Sequence, residues 1–201
     1  MSTTLLLSST SPRRIELLTR VGIPHTVTPA EVDEVPRPDE APIPFARRMA
    51  ETKARKVAAS RGEGGVVLAA DTVVWLDPKR PPLGKPRDRD DALRMLLELT
   101  GSASAHFVST AISFADHREG GDEPTIETFH ETTRVWMRSP PRAEIEAYLD
   151  SDEWKDKAGA YAIQGRAAAF VTKIDGSYTN VVGLPLAQVI ERLYALGLMP
   201  S

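Results

Sequence analysis

Apolar and polar positions alternate along this chain in two periods, and the first change of period comes early. Leu5-Leu6-Leu7 is an uncharged run that predicts a short buried strand over Thr4 to Ser9. Ser11-Pro12 follows, and then Ile15, Leu17, Leu18 and Val21 recur at helical spacing up to Gly22. A strand, a tight turn and a helix are therefore the expected opening unit. Between Ile23 and Val35 prolines interrupt the pattern around an acidic pair, Asp33-Glu34. A second helix is expected from about Pro44 to Ser60, with Phe45, Met49 and Val57 inward and Gly62, Gly64 and Gly65 closing it.

Val66-Val67-Leu68-Ala69-Ala70 is apolar without alternation, as in a strand covered on both faces, and Asp71 is expected at its end, with Val73 to Leu76 continuing it. Asp88 caps a predicted helix over Asp90 to Leu99, whose inner stripe is Ala92, Met95, Leu96 and Leu99. His106 to Phe114 and Ile126 to Met137 predict a hairpin whose loop, Ala115 to Pro124, contains Gly120-Gly121. Ser139-Pro140 opens a helix to about Leu149. Two more strands are expected at Tyr161 to Gly165 and Ala169 to Ile174, and a last helix at Pro185 to about Leu196. Strands and helices interleave without an internal repeat or a dividing linker, so the class is α/β in one domain.

Composition narrows the chemistry. The 201 residues are 41% hydrophobic and 26% charged, enough for a sizeable core. A net charge of −3 argues against bulk electrostatic binding of nucleic acid, and the absence of cysteine removes disulfides, thiolate metal ligation and thiol catalysis. No stretch reaches the roughly 20 apolar residues of a membrane span, and no signal sequence is expected, which predicts a cytoplasmic protein.

The turn Ser11-Pro12-Arg13-Arg14 places two arginines at a helix N-terminus. Each opposes the helix dipole there at a cost of about 0.3–1 kcal/mol, unless an anion is bound. With the helix N–H groups and the hydroxyls of Ser8, Ser9 and Ser11, they compose a phosphate cradle. The alternative is a solvated pair, or ion pairs to Glu16 and Glu51. Asp71, beside the carboxyl ends of strands, suits a divalent cation such as magnesium or manganese, with Glu34 as a second ligand. The alternative for Asp71 is a turn in which it bonds its own backbone through Thr72. Lys53 taken alone reads as part of a solvated helix face, and Lys85, between Gly84 and Pro86, as an even choice between phosphate contact and solvent. Gln164 is a lone amide in a predicted apolar strand, where burial demands partners. His25, His106, His117 and His130 lack zinc spacing and are not expected to act in catalysis.

Taken together, Leu7-Ser8-Ser9-Thr10-Ser11-Pro12-Arg13-Arg14, Ala70-Asp71-Thr72-Val73-Val74, Gly84-Lys85-Pro86 and Lys157-Ala158-Gly159-Ala160-Tyr161-Ala162-Ile163-Gln164-Gly165 resemble the Maf family of nucleoside triphosphate pyrophosphatases. Ser177-Tyr178-Thr179-Asn180-Val181-Val182-Gly183-Leu184-Pro185 fits the same pattern. The resemblance implies a mixed twisted sheet flanked by helices, shared with the inosine triphosphate pyrophosphatases, with two lobes, a central cleft and a homodimer. It implies hydrolysis of a nucleoside triphosphate between the α- and β-phosphates, for which the oxygen ligands expected of Asp71 and Glu34 would hold Mg2+ or Mn2+. By that resemblance Ser9, Arg13, Arg14, Lys53 and Lys85 contact phosphate, Asp71 is the essential acid, Gln164 the site amide, and Glu34 a further ligand. Lys53, Lys85 and Gln164 are grouped with Asp71 as catalytic, and Asp71 with Glu34 as metal-binding.

The uninterrupted Ala-Gly-Ala-Tyr-Ala-Ile-Gln-Gly run is more like the branch that hydrolyses dTTP and UTP than the branch preferring 7-methyl-GTP. Ser8, where the family usually has alanine, and the longer stretches after Pro78 and over Ala115 to Pro124 depart from the pattern. A non-catalytic nucleotide-binding module linked to septum formation remains open at this point.

Overall fold

The structure, a computed structural model, describes residues 5–61, 65–118 and 123–199. Gly62, Gly64 and Gly120-Gly121 of the expected turns lie outside the described residues. Leu5–Ser8 forms β1 and Pro12–Arg20 forms α1, with Pro12 in the first turn and Leu17 and Leu18 buried. A proline is tolerated there because its missing N–H would have no helical partner. The chain returns as β2, His25–Val27, three residues too short to leave a periodic signal, and crosses to α2, Pro42–Arg61.

Val66–Trp75 is one ten-residue strand, β3, so Asp71 lies within a strand and not at the end of one. Parity explains how a carboxylate is accepted there. Val66, Leu68, Ala70 and Val74 join the main core on one face. Val67 and Ala69 pack with Ala54, Val57 and Ala58 of α2 on the other, and Val73 and Trp75 pack with Phe45, Ala46, Met49 and Ala50. Asp71 falls between those two clusters on the strand, and Lys53 falls between them on the helix. Each polar residue therefore finds the other in the seam of an otherwise apolar interface.

Arg89–Gly101 forms α3, with the Asp88 side chain accepting from Asp91 N at 2.8 Å. His106–Asp116 and Thr125–Met137 form the antiparallel pair β4 and β5, as expected from their alternation. Arg142–Leu149, α4, starts later than expected because Ser139 Oγ donates to Thr100 O and leaves Pro141 at the helix entrance. Val171–Asp175 is β6, Tyr178–Val182 is α5 and Leu186–Ala195 is α6. The sheet order β2-β1-β3-β4-β5-β6 is parallel from β2 to β3 and antiparallel from β3 to β6, a mixed sheet between helices.

The strand expected over Tyr161 to Gly165 does not form. Gly159 and Ala160 both have positive φ, 69° and 61°, which turns the backbone out of any extended course. Short 3-10 turns at Ala158–Ala160 and Arg166–Phe170 flank the segment, and within it Gly165 N donates to Ala162 O at 3.0 Å to close a turn. Gly159 is required at its position, because a Cβ there would lie 3.0 Å from Val74 Cγ1. Among the described residues no helix is long and apolar enough to cross a membrane.

Candidate active site

β1 stops at Ser8, paired with Ala69, while β3 runs on for six residues to Trp75. The space beyond the end of β1 opens a cavity of about 930 Å³, and all eight residues singled out from the sequence line it: Ser9, Arg13, Arg14, Glu34, Lys53, Asp71, Lys85 and Gln164. Its volume is in the range of small-molecule sites.

At its floor Lys53 and Asp71 are each 8% exposed, and Lys53 Nζ donates to Asp71 Oδ1 at 2.6 Å. The same ammonium reaches Glu34 Oε1 at 2.5 Å, and Lys85 Nζ lies 3.6 Å from Glu34 Oε2. Lys53 is therefore buried and paired, not part of a solvated helix face. Burial pushes the Asp71 carboxyl above the ordinary range against the pull of Lys53. Glu34 moves the other way: burial opposes its charge, yet Lys53 and Lys85 hold it below the usual carboxylate range. The turn alternative for Asp71 is excluded by its place in the strand and by its bond to Lys53.

The two arginines differ. Arg14 Nε donates to Gly183 O at 2.8 Å, Nη1 to Ser9 Oγ at 3.1 Å and Ala70 O at 2.8 Å, and Nη2 to Thr72 Oγ1 at 2.9 Å. Burial lowers its pKa to about 10, still fully cationic near neutrality. Arg13 Nε is a buried donor without a hydrogen-bond partner. Neither arginine takes the acidic partners considered from the sequence, since Glu16 pairs with Arg20 and Glu51 with Arg55. Arg13 lines the cavity, but its Nε has almost no exposed surface, so an anionic oxygen would meet its guanidinium through the terminal nitrogens.

Gln164 is exposed on a turn that lines the cavity, so the expectation of a buried amide within a strand is corrected. Glu153 Oε2 accepts from Arg166 N at 2.8 Å beside that turn, and a Cβ on Gly165 would meet the same oxygen at 1.9 Å. On the far wall Tyr161 OH meets His106 Nε2 at 2.8 Å, and burial pushes the His106 pKa down to about 4, leaving it neutral. Glu153 and His106 carry no periodic or motif signal, and Thr72 and Tyr161, although they fall in the segments that resemble the family, take no assigned role from that resemblance.

The oxygen donors suit a hard cation. Asp71 Oδ1 and Glu34 Oε1 both meet the Lys53 ammonium, which leaves the second oxygen of each carboxylate for a cation. Among the described residues no group of three or more His, Cys, Asp or Glu could hold a metal. Two carboxylates fit magnesium or manganese where ligand phosphates complete the coordination.

A mixed sheet whose first strand ends at a cleft lined by Arg13, Arg14, Lys53, Lys85 and Lys157, with the buried Asp71 carboxylate among them, defines an α/β protein with a cleft suited to anions. The chain belongs to the Maf-like protein family, which it matches over residues 4–196. It is 46% identical over 95% of its length to a dTTP/UTP pyrophosphatase of Syntrophomonas wolfei, covering 96% of that protein. It is 44% identical over 98% of its length to a protein of the same name from Citrifermentans bemidjiense, covering 97% of it. The fold is also that of a HAM1 protein from Coxiella burnetii, with TM-score 0.55 and 16% identity, over 96% of this chain and 99% of that one.

Proposed function

We propose that the protein hydrolyses dTTP and UTP to the monophosphate and pyrophosphate. The observation that carries this reading is the meeting, in one cavity, of the buried Asp71 carboxylate with an excess of cations, Arg13, Arg14, Lys53, Lys85 and Lys157. The near full-length similarity to proteins named dTTP/UTP pyrophosphatase supports the substrate.

The triphosphate enters with its charge against Arg13 and Lys85. Ser9 and the N-terminal N–H groups of α1 add neutral donors. Water attacks the α-phosphorus, a P–O bond forms to it, and the bond to the α–β bridging oxygen breaks, releasing pyrophosphate. Asp71 takes the proton of that water, and its raised pKa makes it a stronger base than an ordinary carboxylate. Lys53 holds Asp71 in place and, with Lys85 and Arg13, offsets charge developing on the leaving group. Gln164, on its exposed turn, faces the same cavity and contributes an amide to the bound nucleotide. Mg2+ or Mn2+ held by Asp71 and Glu34 would neutralise phosphate charge and lower the pKa of bound water. The same reading places the enzyme in the cytoplasm, with the nucleotide pool, as a homodimer.

Incubating the purified protein with a panel of nucleoside triphosphates and Mg2+ or Mn2+ tests the proposal. Pyrophosphate with UMP or dTMP is expected, and Asp71→Asn, in a sample shown to be folded, is expected to lose most turnover. Preference for 7-methyl-GTP overturns the base assignment. Nucleotide binding by a folded sample without turnover overturns the enzyme reading in favour of a binding module.

A further inference from the structure

We infer that Arg14 is a positioning residue that holds Ser9 and the strand on either side of Asp71, while Arg13 is the arginine that takes the phosphate. The inference rests on the proposed function for its kinetic arm and on geometry for the rest. A guanidinium has five N–H donors. Arg14 places four hydrogen bonds on the protein itself, to Gly183 O, Ser9 Oγ, Ala70 O and Thr72 Oγ1. Little of its hydrogen-bonding capacity is left for a ligand.

The acceptors explain what it does. β1 ends at Ser8 opposite Ala69, so the Ala70 carbonyl lies one residue beyond the last strand pairing, and Arg14 Nη1 bonds it where β1 gives no partner. Ala70 and Thr72 flank Asp71, so both chain neighbours of the carboxylate are anchored to one rigid planar group. Thr72 Oγ1 accepts from Arg14 and passes its own hydrogen to Thr110 Oγ1 at 3.0 Å, which donates to Asn180 O at 3.0 Å. Asn180 is fully buried in α5, its Oδ1 accepting from Thr110 N at 3.1 Å. Gly183 ends the same helix and accepts from Arg14 Nε, so the hydrogen bonds close a ring through α1, β3, β4 and α5. Arg13, its neighbour in sequence, joins no such ring and keeps a buried Nε without a partner.

Two measurements test the division. Arg14→Lys keeps the charge and loses the fork. Its kcat is expected to fall about 100-fold, the scale of an ångström-sized misplacement, while KM stays within about twofold of wild type. Arg13→Ala is expected to raise KM about tenfold or more. Should Arg14→Lys fail to fold, Thr72→Val, which removes only one acceptor, carries the same kcat-selective loss at smaller size. The second arm reads the side-chain Nε–H resonances of the two arginines in the wild-type protein as inorganic pyrophosphate is added, and needs no turnover. Arg13 is expected to shift saturably and Arg14 to stay in place. The assignment is overturned if Arg14 shifts as Arg13 does, if neither moves, or if Arg14→Lys raises KM with kcat unchanged. A wild-type protein that releases no pyrophosphate from any nucleotide overturns the proposed function and leaves the resonance arm as the test of this one.

Discussion

Replacing Lys53 by methionine keeps most of the side-chain volume and removes the ammonium that Asp71 faces. Asp71 is then 8% exposed, sits between two apolar clusters, and has lost its 2.6 Å partner. Breaking one side of a buried ion pair costs about 3–5 kcal/mol, a large part of the roughly 5–15 kcal/mol that holds a domain together. The sign of the pH dependence follows from the carboxyl, whose folded pKa is already raised by burial and rises further without Lys53. A raised folded carboxyl contributes its stability below the unfolded pKa and loses it as pH climbs through the folded value. The deficit of Lys53→Met is therefore small in acid and widens by up to about 1.4 kcal/mol per pH unit.

Adding Asp71→Val removes the stranded charge and lets a β-branched residue join Ala69 and Val73 on the same face of β3. The double variant is expected to recover stability to about the wild-type level or beyond, as buried pairs do when replaced by apolar groups, and to be catalytically dead. Denaturant unfolding of the wild type, both single variants and the double variant at pH 5 and pH 8 measures the cycle. A loss below about 1 kcal/mol for Lys53→Met at pH 8, the size of a solvated pair, or a double variant no more stable than the singles, refutes the account of the seam.

Gly159→Ala places a Cβ at φ 69° and 3.0 Å from Val74 Cγ1, with an expected cost of about 1–3 kcal/mol in thermal or denaturant melts. Adding Val74→Ala removes the Cγ contacts at 3.0 and 3.2 Å but keeps Val74 Cβ at 3.1 Å, so partial rescue is expected, and full rescue would show that neither that contact nor φ carries the cost. His106 has its pKa pushed from 6.5 to about 4 by burial, so its neutral form stabilises the fold above about pH 6.5, and that contribution is lost as pH falls towards 4. The difference amounts to about 3 kcal/mol, and His106→Gln should flatten this acid limb in melts between pH 7 and pH 4. Treatment with EDTA should abolish pyrophosphate release and added Mg2+ or Mn2+ restore it; turnover that persists after chelation would remove Asp71 and Glu34 from the role of metal ligands.

Much of the architecture could be read along the chain because its strands and helices differ in period. The hairpin of β4 and β5, the capped helix α3 and the opening β1-α1 unit fall close to their expected bounds. The misreadings have local causes. Asp71 looked like a strand terminus because polarity within an apolar run resembles a stop, and only the helix packed above it supplies Lys53 as its partner. The 161–165 run is apolar enough for a strand, but the positive φ at Ala160 is a backbone choice that side-chain pattern does not encode. Adjacent arginines look alike in sequence, yet one is surrounded by carbonyl and hydroxyl acceptors and the other is not. Long-range contacts of that kind, such as Arg14 to Gly183, exist only once the chain has closed.

The cavity joins two distant stretches of chain. Most of its charged side chains lie between Arg13 and Lys85, and its other wall comes from residues such as Tyr161, Ala162, Ile163, Val181 and Val182, with Asp156 and Lys157 adding charge from that later stretch. Gly159 N donating to Gly84 O at 3.1 Å is one place where the two meet. The consequence is a division of evolutionary labour. Drift at Tyr161, Ala162 or Ile163 can reshape the room on that wall, but Asn180 and Gly183 are tied to Thr110 and Arg14 and Lys157 adds a charge, so only part of the later segment is free to change a lineage's diet without disturbing its chemistry.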